Sequence, residues 1–262
     1  MRTPRVTVLL TVYDGLPHVR ETIESVLDQT YSNFEFVIVD DGSTDGTRQV
    51  IDEYDDDRLR RLYLDHVGRG AALNAGLIAA RGELVAIIDA DDIARENRLE
   101  KQVGFFDANP ETDVLGSWYD RWWTERDETE AVTPSPPVDD ILTAFSRSNP
   151  IGHSTSVYRL AAAAEVGGYD ESLTSCIDYD FFVRLAATGH QFRMLKSKTS
   201  TIRKHDSQSF DVDGWKLLRH RLNGSRVRRQ AIRAGNGSVI DHLRNTWRTG
   251  CELVGWAGQQ LR

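Results

Sequence analysis

Within its first hundred residues the chain alternates short apolar runs typical of β-strands with segments whose apolar residues recur at helical spacing. "VTVLLTV" is followed by an apolar stripe from Val19 to Leu27, and "FEFVIVD" and "ELVAIID" are two further strand-like runs that lead into helical segments. Strands that alternate with helices form a sheet covered on both faces. This pattern therefore predicts an α/β fold with a mixed, mostly parallel sheet flanked by helices.

Polar loops follow three of these apolar strands, with the sequences "TVYDG", "VDDGST" and "DADD". In a parallel sheet the carboxyl ends of the strands meet at one edge, where the connecting loops form a crevice for ligands. We therefore expect one crevice surrounded by Tyr13, Asp40, Asp41, Asp89 and Asp91.

The loop "DADD" places three carboxylates, Asp89, Asp91 and Asp92, within four positions after a buried strand. In an extended segment, residues two apart project to the same side about 6.5 Å apart, so Asp89 and Asp91 are able to face one cation. Mg²⁺ and Mn²⁺ favour a few carboxylates together with phosphate oxygens and water, as in a nucleoside diphosphate site. The alternative is an acidic loop that caps a helix beginning near Asn97, and Asp92 is expected to be a flanking charge or a helix-start residue.

The other two loops contain residue types that suit a nucleoside. Tyr13 is able to stack on a base, and Asp41 is able to accept a hydrogen bond from a ring N–H. The alternative is turn chemistry, because Asp-Gly and Ser-Thr-Asp-Gly are strong turn sequences.

Beyond residue 120 the composition changes. "TERDETEAVTPSPPVDD" combines charge with three prolines and predicts an exposed loop or lid, whereas the segment after Ser209 is helical and basic. No run of about 18 apolar residues predicts a transmembrane helix, and the beginning of the chain does not resemble a signal peptide.

Charge and cysteine content limit the classes of partner. Residues 1–202 carry 20 Lys and Arg against 35 Asp and Glu, a net charge of −15, whereas residues 203–262 carry 12 against 5, a net charge of +7. The acidic part argues against a nucleic acid as partner. The two cysteines, Cys176 and Cys251, form no disulfide framework, so we expect a cytoplasmic protein.

Seven motifs in this order resemble one known family. "TVYDGLPHVRETIESVLDQTYSNFEFVIVDDGSTDGT", "ALNAGLIAARGE" and "DADD" are followed by "NPIGHSTSVY", "GGYDESL", "IDYDFFVRLA" and "RKHDSQS". Together they resemble glycosyltransferase family 2, over roughly residues 5 to 210. The resemblance implies a GT-A fold, which is Rossmann-like. It also implies an inverting transfer of a sugar from a nucleotide diphosphate donor, with Mg²⁺ or Mn²⁺ bound at the diphosphate.

The resemblance also implies roles for residues on the donor side. Thr11, Tyr13 and Asp41 would face the nucleoside. Asp89 would face the ribose or sugar of the donor, and Asp91 would bind the metal. Independently of the family, breaking a sugar–diphosphate bond requires that the charge of the leaving group be neutralised, which a divalent cation does without proton transfer.

On the acceptor side, the attacking hydroxyl has to lose its proton, so a carboxylate is required there. The motif position of the family's base falls on Asp178, with Asp180 as second choice, although an aspartate at a helix N-terminus is the alternative. Ile177 stands where the family frequently has Glu. By the resemblance His205 would bind the metal or the diphosphate and His153 would line the acceptor side; each has buried packing as its alternative.

We therefore expect a glycosyltransferase domain over residues 1–210, with a nucleotide-sugar half (1–110) and an acceptor half (111–210). A basic C-terminal helical extension (211–262) would either contact an anionic membrane or pack on the acidic body. The acceptor would be a glycan, a lipid-linked or a protein-linked group. Two alternatives remain. One is a sugar-1-phosphate nucleotidyltransferase, although "TVYDG" lacks the Gly-rich phosphate loop that this class of enzyme requires. The other is a non-catalytic nucleotide- or glycan-binding module, which Ile177 favours.

Overall fold

The computed structural model describes residues 3–134, 141–204 and 214–235, and in the last range it describes side chains from Leu222 onward. The strands within these ranges are β1 (Val6–Val12), β2 (Phe34–Asp40), β3 (Leu59–Tyr63), β4 (Leu84–Asp89), β5 (Ile93–Ala94), β6 (Val114–Trp123), β7 (Glu128–Val132), β8 (Val157–Arg159) and β9 (Phe192–Lys204). The helices are α1 (Val19–Leu27), α2 (Thr47–Asp52), α3 (Arg69–Ala79), α4 (Arg98–Ala108), α5 (Ile141–Arg147), α6 (Leu160–Glu165), α7 (Ile177–Ala187) and α8 (Gly214–Ala234). A 3₁₀ turn, His153–Thr155, precedes β8.

The strands form one mixed sheet in the order β3-β2-β1-β4-β8-β6-β9-β5, with β7 paired to β6. Strands β3, β2, β1 and β4 are parallel, and β8 is antiparallel to both of its neighbours, β4 and β6. The predicted α/β fold with a mixed, mostly parallel sheet is therefore confirmed. The register aligns Thr11 with Asp89 and Val12 with Asp40, so the three predicted loops leave the sheet at the same edge.

Helices cover both faces of the sheet because the central strands are apolar on both sides. Val8 and Leu10 belong to the core under α1 and α4, whereas Leu9 belongs to the core under α3 and α7. All three side chains are buried. This double burial explains why the strands read as continuous apolar runs.

Two glycines allow α3 to lie close to its neighbours. A Cβ atom at Gly76 would lie 2.2 Å from Leu9 Cδ1, and one at Gly70 would lie 3.0 Å from the Cα of Glu171. Small residues in "GRGAALNAG" therefore serve helix packing. The close approach also holds the first residue of α3, Arg69, at the edge where the polar loops meet.

The prediction of an exposed loop or lid for "TERDETEAVTPSPPVDD" is wrong for residues 128–132, because they form strand β7 in a hairpin with β6. The sequence of this hairpin shows no alternation of apolar and polar residues from which strand β7 could be recognised. Four of the five β7 residues are exposed, so neither face of the strand required apolar residues. Residues 135–140 lie outside the described part of the chain.

Helix α8 agrees with the predicted basic extension as far as residue 235. Val227 and Ala231 are buried in the same core as the side chains of α5 and α7. In the described ranges, no helix is both long enough and apolar enough to cross a membrane.

Candidate active site

A cleft of about 540 Å³ lies at the carboxyl ends of β1 and β4. The sequence-predicted residues Thr11, Tyr13, Asp41, Asp89 and Asp91 all line it. The strand register explains this convergence, because each residue ends a strand or follows its last residue.

Asp40 corrects the expectation for the crevice, since it does not line the cleft. Its side chain is buried, and Oδ1 accepts a hydrogen bond from the backbone N–H of Ser43 at 3.0 Å. For Asp40, the turn interpretation of "VDDGST" therefore applies.

The end of the cleft where a nucleoside was predicted contains two aromatic rings. Tyr13 is 47% exposed, and its ring centroid lies 4.1 Å from that of His66 at an interplanar angle of 40°. His66 has a positive φ of 52° and lines the same cleft. His66 is not recognisable from the sequence, because a single histidine after a weak strand carries no periodic signal.

Asp41 anchors the loop that carries His66. Its carboxylate is buried and accepts backbone N–H hydrogen bonds from Val67 at 2.7 Å and Gly68 at 2.9 Å. Two ionised carboxylate oxygens offer about four acceptor positions, so these bonds leave room for a ligand N–H. Asp41 therefore fits both readings, as a loop anchor and as a nucleoside contact.

The second acidic loop begins with an ion pair that the sequence analysis did not predict. Arg69 Nη2 donates to Asp89 Oδ1 at 2.6 Å, and the Arg69 side chain is half exposed. Burial would raise the pKa of Asp89, but the Arg69 charge and hydrogen bonds from His153 and Ser154 hold it well below its usual range. Asp89 is therefore ionised at neutral pH.

Arg69 lies among several carboxylates. The charge of Asp89, and to a smaller extent those of Asp178 and Asp91, raise the pKa of the Arg69 guanidinium against the opposing effect of desolvation. One cation therefore interacts with both the predicted metal ligand and the predicted base. No sequence signal identifies it, because "GRG" reads as the start of a small-residue helix.

Asp92 is not the flanking charge that the sequence suggested. Only 2% of it is exposed, and its Oδ1 accepts the backbone N–H of Arg203 at 2.9 Å. Burial, together with the nearby charges of Asp91 and Asp89, raises the pKa of the Asp92 carboxyl well above its usual range. Since Arg203 Nε also donates to the carbonyl of Asp91 at 2.8 Å, the end of β9 fixes the acidic loop.

His153 lies behind Asp89 and does not line the cleft. It is buried, with Nδ1 3.3 Å from Asp89 Oδ1 and Nε2 3.1 Å from the Tyr169 hydroxyl. Arg69 Nη2 also lies 3.2 Å from His153 Nδ1, so Nδ1 faces both members of the Arg69–Asp89 ion pair. This position agrees with buried packing beneath the donor side, and acceptor contact stays a prediction.

Asp178 lies in the first turn of α7, outside the residues that line the 540 Å³ cleft. Its Oδ2 accepts a hydrogen bond from Asn149 Nδ2 at 2.8 Å. Its charge acts on Arg69, which pairs with Asp89, and on Tyr169, whose hydroxyl contacts His153. Ile177, where the family frequently has Glu, is buried in the core.

The second choice for the base, Asp180, is 5% exposed, and its Oδ2 accepts from Arg184 Nε at 2.7 Å. The structure therefore does not bring Asp180 to the cleft. His205 lies outside the described residues, although Lys204, which precedes it, lines the cleft.

The acidic loop "DADD" fits a divalent cation that is also bound by the phosphate oxygens of a ligand. Asp91 lines the cleft, and the described residues include no group of three or more His, Cys, Asp or Glu side chains suited to hold a metal alone. Mg²⁺ is usually bound by one or two carboxylates plus phosphate oxygens and water. A site based on Asp91 and a bound diphosphate has this composition.

The fold and cleft define a GT-A glycosyltransferase, an enzyme class. Solved structures agree in fold. Staphylococcus aureus TarS 1–349 in complex with UDP-GlcNAc has a TM-score of 0.67 and 21% identity, and the match covers 85% of this chain and 66% of that chain. A mannosyltransferase from Pyrobaculum calidifontis, PcManGT, in complex with GDP-Man and Mn²⁺ has a TM-score of 0.67 and 21% identity, covering 98% of this chain and 76% of that chain.

Sequence comparisons identify the family. Residues 7–163 match the family described as glycosyl transferase family 2. An uncharacterised glycosyltransferase, MJ1057, from Methanocaldococcus jannaschii is 30% identical, covering 75% of this chain and 69% of its own. The putative glycosyltransferase EpsE from Bacillus subtilis is 30% identical, covering 79% and 75%. The putative teichuronic acid biosynthesis glycosyltransferase TuaG from the same organism is matched over only 42% of its length. This chain belongs to glycosyltransferase family 2.

Proposed function

We propose that this glycosyltransferase is metal-dependent and inverting, and that it moves a sugar from a UDP-, GDP- or dTDP-sugar to a hydroxyl of a glycan, a lipid-linked or a protein-linked acceptor. The observation that carries the proposal is the convergence of Tyr13, Asp41, Asp89 and Asp91 in one cleft, where the charge of Asp178 acts on the Arg69 that pairs with Asp89.

In this proposal the donor lies along the cleft from Tyr13 towards Asp178. Its base stacks on Tyr13 and donates a ring N–H to Asp41, while Thr11 faces the nucleoside. Asp89 accepts from hydroxyls of the ribose or sugar, and the Arg69 pairing keeps it ionised for this purpose. The nucleotide-sugar complexes of TarS and PcManGT support this class of donor.

We assign Mg²⁺ or Mn²⁺ to Asp91, with His205 as a second candidate ligand. When bound, the cation supplies neutralisation of the charge on the leaving diphosphate. The Mn²⁺ complex of PcManGT supports a divalent metal in a protein of the same fold.

Asp178 is the proposed base. It takes the proton of the acceptor hydroxyl as that oxygen attacks the anomeric carbon, and the electron pair of the broken sugar–oxygen bond leaves with the diphosphate. A single displacement inverts the anomeric centre and needs no covalent nucleophile. Ile177 is buried in the core, so in this proposal Asp178 acts without an adjacent Glu.

We also propose that α8 contacts an anionic membrane at its inner face, which suits a cytoplasmic enzyme that uses a lipid-linked acceptor. Val227 and Ala231 pack on the body of the protein, whereas Leu222, Arg226, Arg229 and Arg233 are exposed at helical spacing. Since α8 packs through its apolar side, the exposed arginines remain available to lipid phosphates.

A donor panel tests this function. The protein is incubated with UDP-, GDP- and dTDP-sugars in the presence of Mn²⁺, and release of the nucleoside diphosphate is measured with and without candidate acceptors. We expect turnover of at least one donor and a loss of about 10²- to 10⁴-fold in kcat for Asp178→Asn, the usual contribution of a general base. No turnover of any donor, or full activity of Asp178→Asn, would refute the assignment.

A further inference from the structure

The side chain of Asn149 has only one orientation that satisfies both of its contacts. Its Oδ1 accepts a hydrogen bond from the backbone N–H of Ile151 at 3.1 Å, and its Nδ2 lies 2.8 Å from Asp178 Oδ2. A flipped amide would set two donors against each other at Ile151 and two acceptors against each other at Asp178. The amide N–H therefore points to the carboxylate.

The residue before Asp178 in helix α7 has no polar side chain that could donate a hydrogen bond to this carboxylate. Ile177 is apolar and only 5% exposed, because it packs into the core. Asn149 reaches Asp178 from a separate segment 29 residues earlier, just after α5. Both Asn149 and Asp178 are partly buried, so the hydrogen bond is less diluted by water than a surface contact.

We propose that Asn149 is a positioning residue for the base. It holds Asp178 Oδ2 and so fixes the plane of the carboxylate, and Oδ1 receives the proton of the acceptor hydroxyl. This inference rests on the proposed function, because it requires Asp178 to be the base. Asn149 does not line the donor cleft, so its effect belongs to the chemical step and not to donor binding.

Two substitutions separate the donor function of the amide from its structural contact. Asn149→Asp keeps an oxygen for the Ile151 N–H but places an acceptor against Asp178, whereas Asn149→Ala removes both contacts. Asn109→Ala is the matched control, because Asn109 is also partly buried and donates one hydrogen bond, to the Phe105 carbonyl at 2.9 Å, far from α7 in the chain.

Kinetics use the donor that the wild type turns over fastest in the panel above, with Mn²⁺. Misorientation of a reacting group costs up to about 100-fold, so we expect kcat to fall about 10- to 100-fold in both Asn149 variants with donor KM within about twofold. Asn109→Ala should keep both constants. Unchanged kcat in Asn149→Asp, or a rise in KM alone, overturns the inference.

Thermal melting tests the pairing without substrate. Asn149→Asp should lower Tm, and the double variant Asn149→Asp with Asp178→Asn should recover most of the loss, because the amide and the carboxylate exchange places. Absence of this recovery overturns the pairing. Full activity of Asp178→Asn would instead refute the proposed function, whereas an inactive Asp178→Asn beside a fully active Asn149→Asp would refute only the role of Asn149.

Discussion

The three aspartates of "DADD" have different surroundings although they are close in sequence. All three line the cleft, but Asp89 is paired with Arg69, Asp92 is buried and bound to the backbone N–H of Arg203, and Asp91 is partly exposed. A carboxylate that binds a cation has to be accessible from the cleft, whereas a buried carboxylate mainly stabilises the loop. The difference predicts separate consequences for substitutions at neighbouring positions.

Asp91→Ala should remove the Mn²⁺-dependent part of nucleoside diphosphate affinity and leave the free energy of unfolding nearly unchanged. Asp92→Ala should destabilise the protein by about 1–3 kcal/mol, because the buried N–H of Arg203 loses its acceptor. Titration calorimetry of UDP and GDP with and without Mn²⁺, and urea unfolding, measure the two effects. Mn²⁺-dependent binding by Asp91→Ala, or wild-type stability of Asp92→Ala, would contradict this division.

Most residues in recognisable motifs were predictable from the sequence, whereas their single partners were not. The cleft contains five of the residues expected there, but Asp40, from the same motif as Asp41, does not line it. Arg69 and Asn149 gain their importance from contacts with Asp89 and Asp178, which lie 20 and 29 residues away in the chain. Such contacts depend on strand order and helix packing, so an isolated Arg or Asn in the sequence does not indicate them.

Among the elements, the parallel strands were predictable because burial on both faces requires continuous apolar runs. The hairpin of β6 and β7 was not, since an exposed edge strand imposes little on its side chains. In helix α3, Gly76 allows close packing on Leu9 of β1.

Two glycine-to-alanine substitutions in helices should therefore have opposite effects. Gly76→Ala would push its Cβ against the fully buried Leu9, and overpacking of this kind costs about 1–3 kcal/mol. Gly104→Ala in α4 meets nothing within 4 Å and should stabilise the protein by about 0.5–1 kcal/mol through helix propensity. The midpoints of urea unfolding report both changes. A stabilising Gly76→Ala would mean that α3 packs less closely than described.

For the whole molecule, the division of charge separates an acidic body from a basic C-terminal segment. In the described part of α8, the arginines at 226, 229 and 233 are exposed, and the charge of Arg226 also acts on Asp170 of the body. The arrangement is suited to a surface of opposite charge. The remaining residues of the basic segment, 236–262, lie outside the described ranges.

The protein should bind vesicles that contain anionic phosphatidylglycerol and not vesicles of phosphatidylcholine alone. The double substitution of Arg226 and Arg229 by Glu should weaken binding at least about 30-fold, given about 1 kcal/mol per basic residue at such a surface. The same change at the exposed Arg81 and Arg126 is the control with equal net charge. Sedimentation with vesicles measures the binding, and equal losses in both double variants would argue against a specific role for α8.

Strand β8 is short, yet it joins the parallel strands to the rest of the sheet. It pairs with β4 on one side and with β6 on the other. The turn before it also contacts the acidic loop, because Ser154 Oγ accepts the backbone N–H of Asp89 at 3.0 Å. A fragment ending near residue 110 would lack this strand and leave β4 as an open edge. Open apolar edges recruit strands from other chains. Exchange of acceptor halves between relatives would therefore have to carry β8 and its turn as part of the donor half.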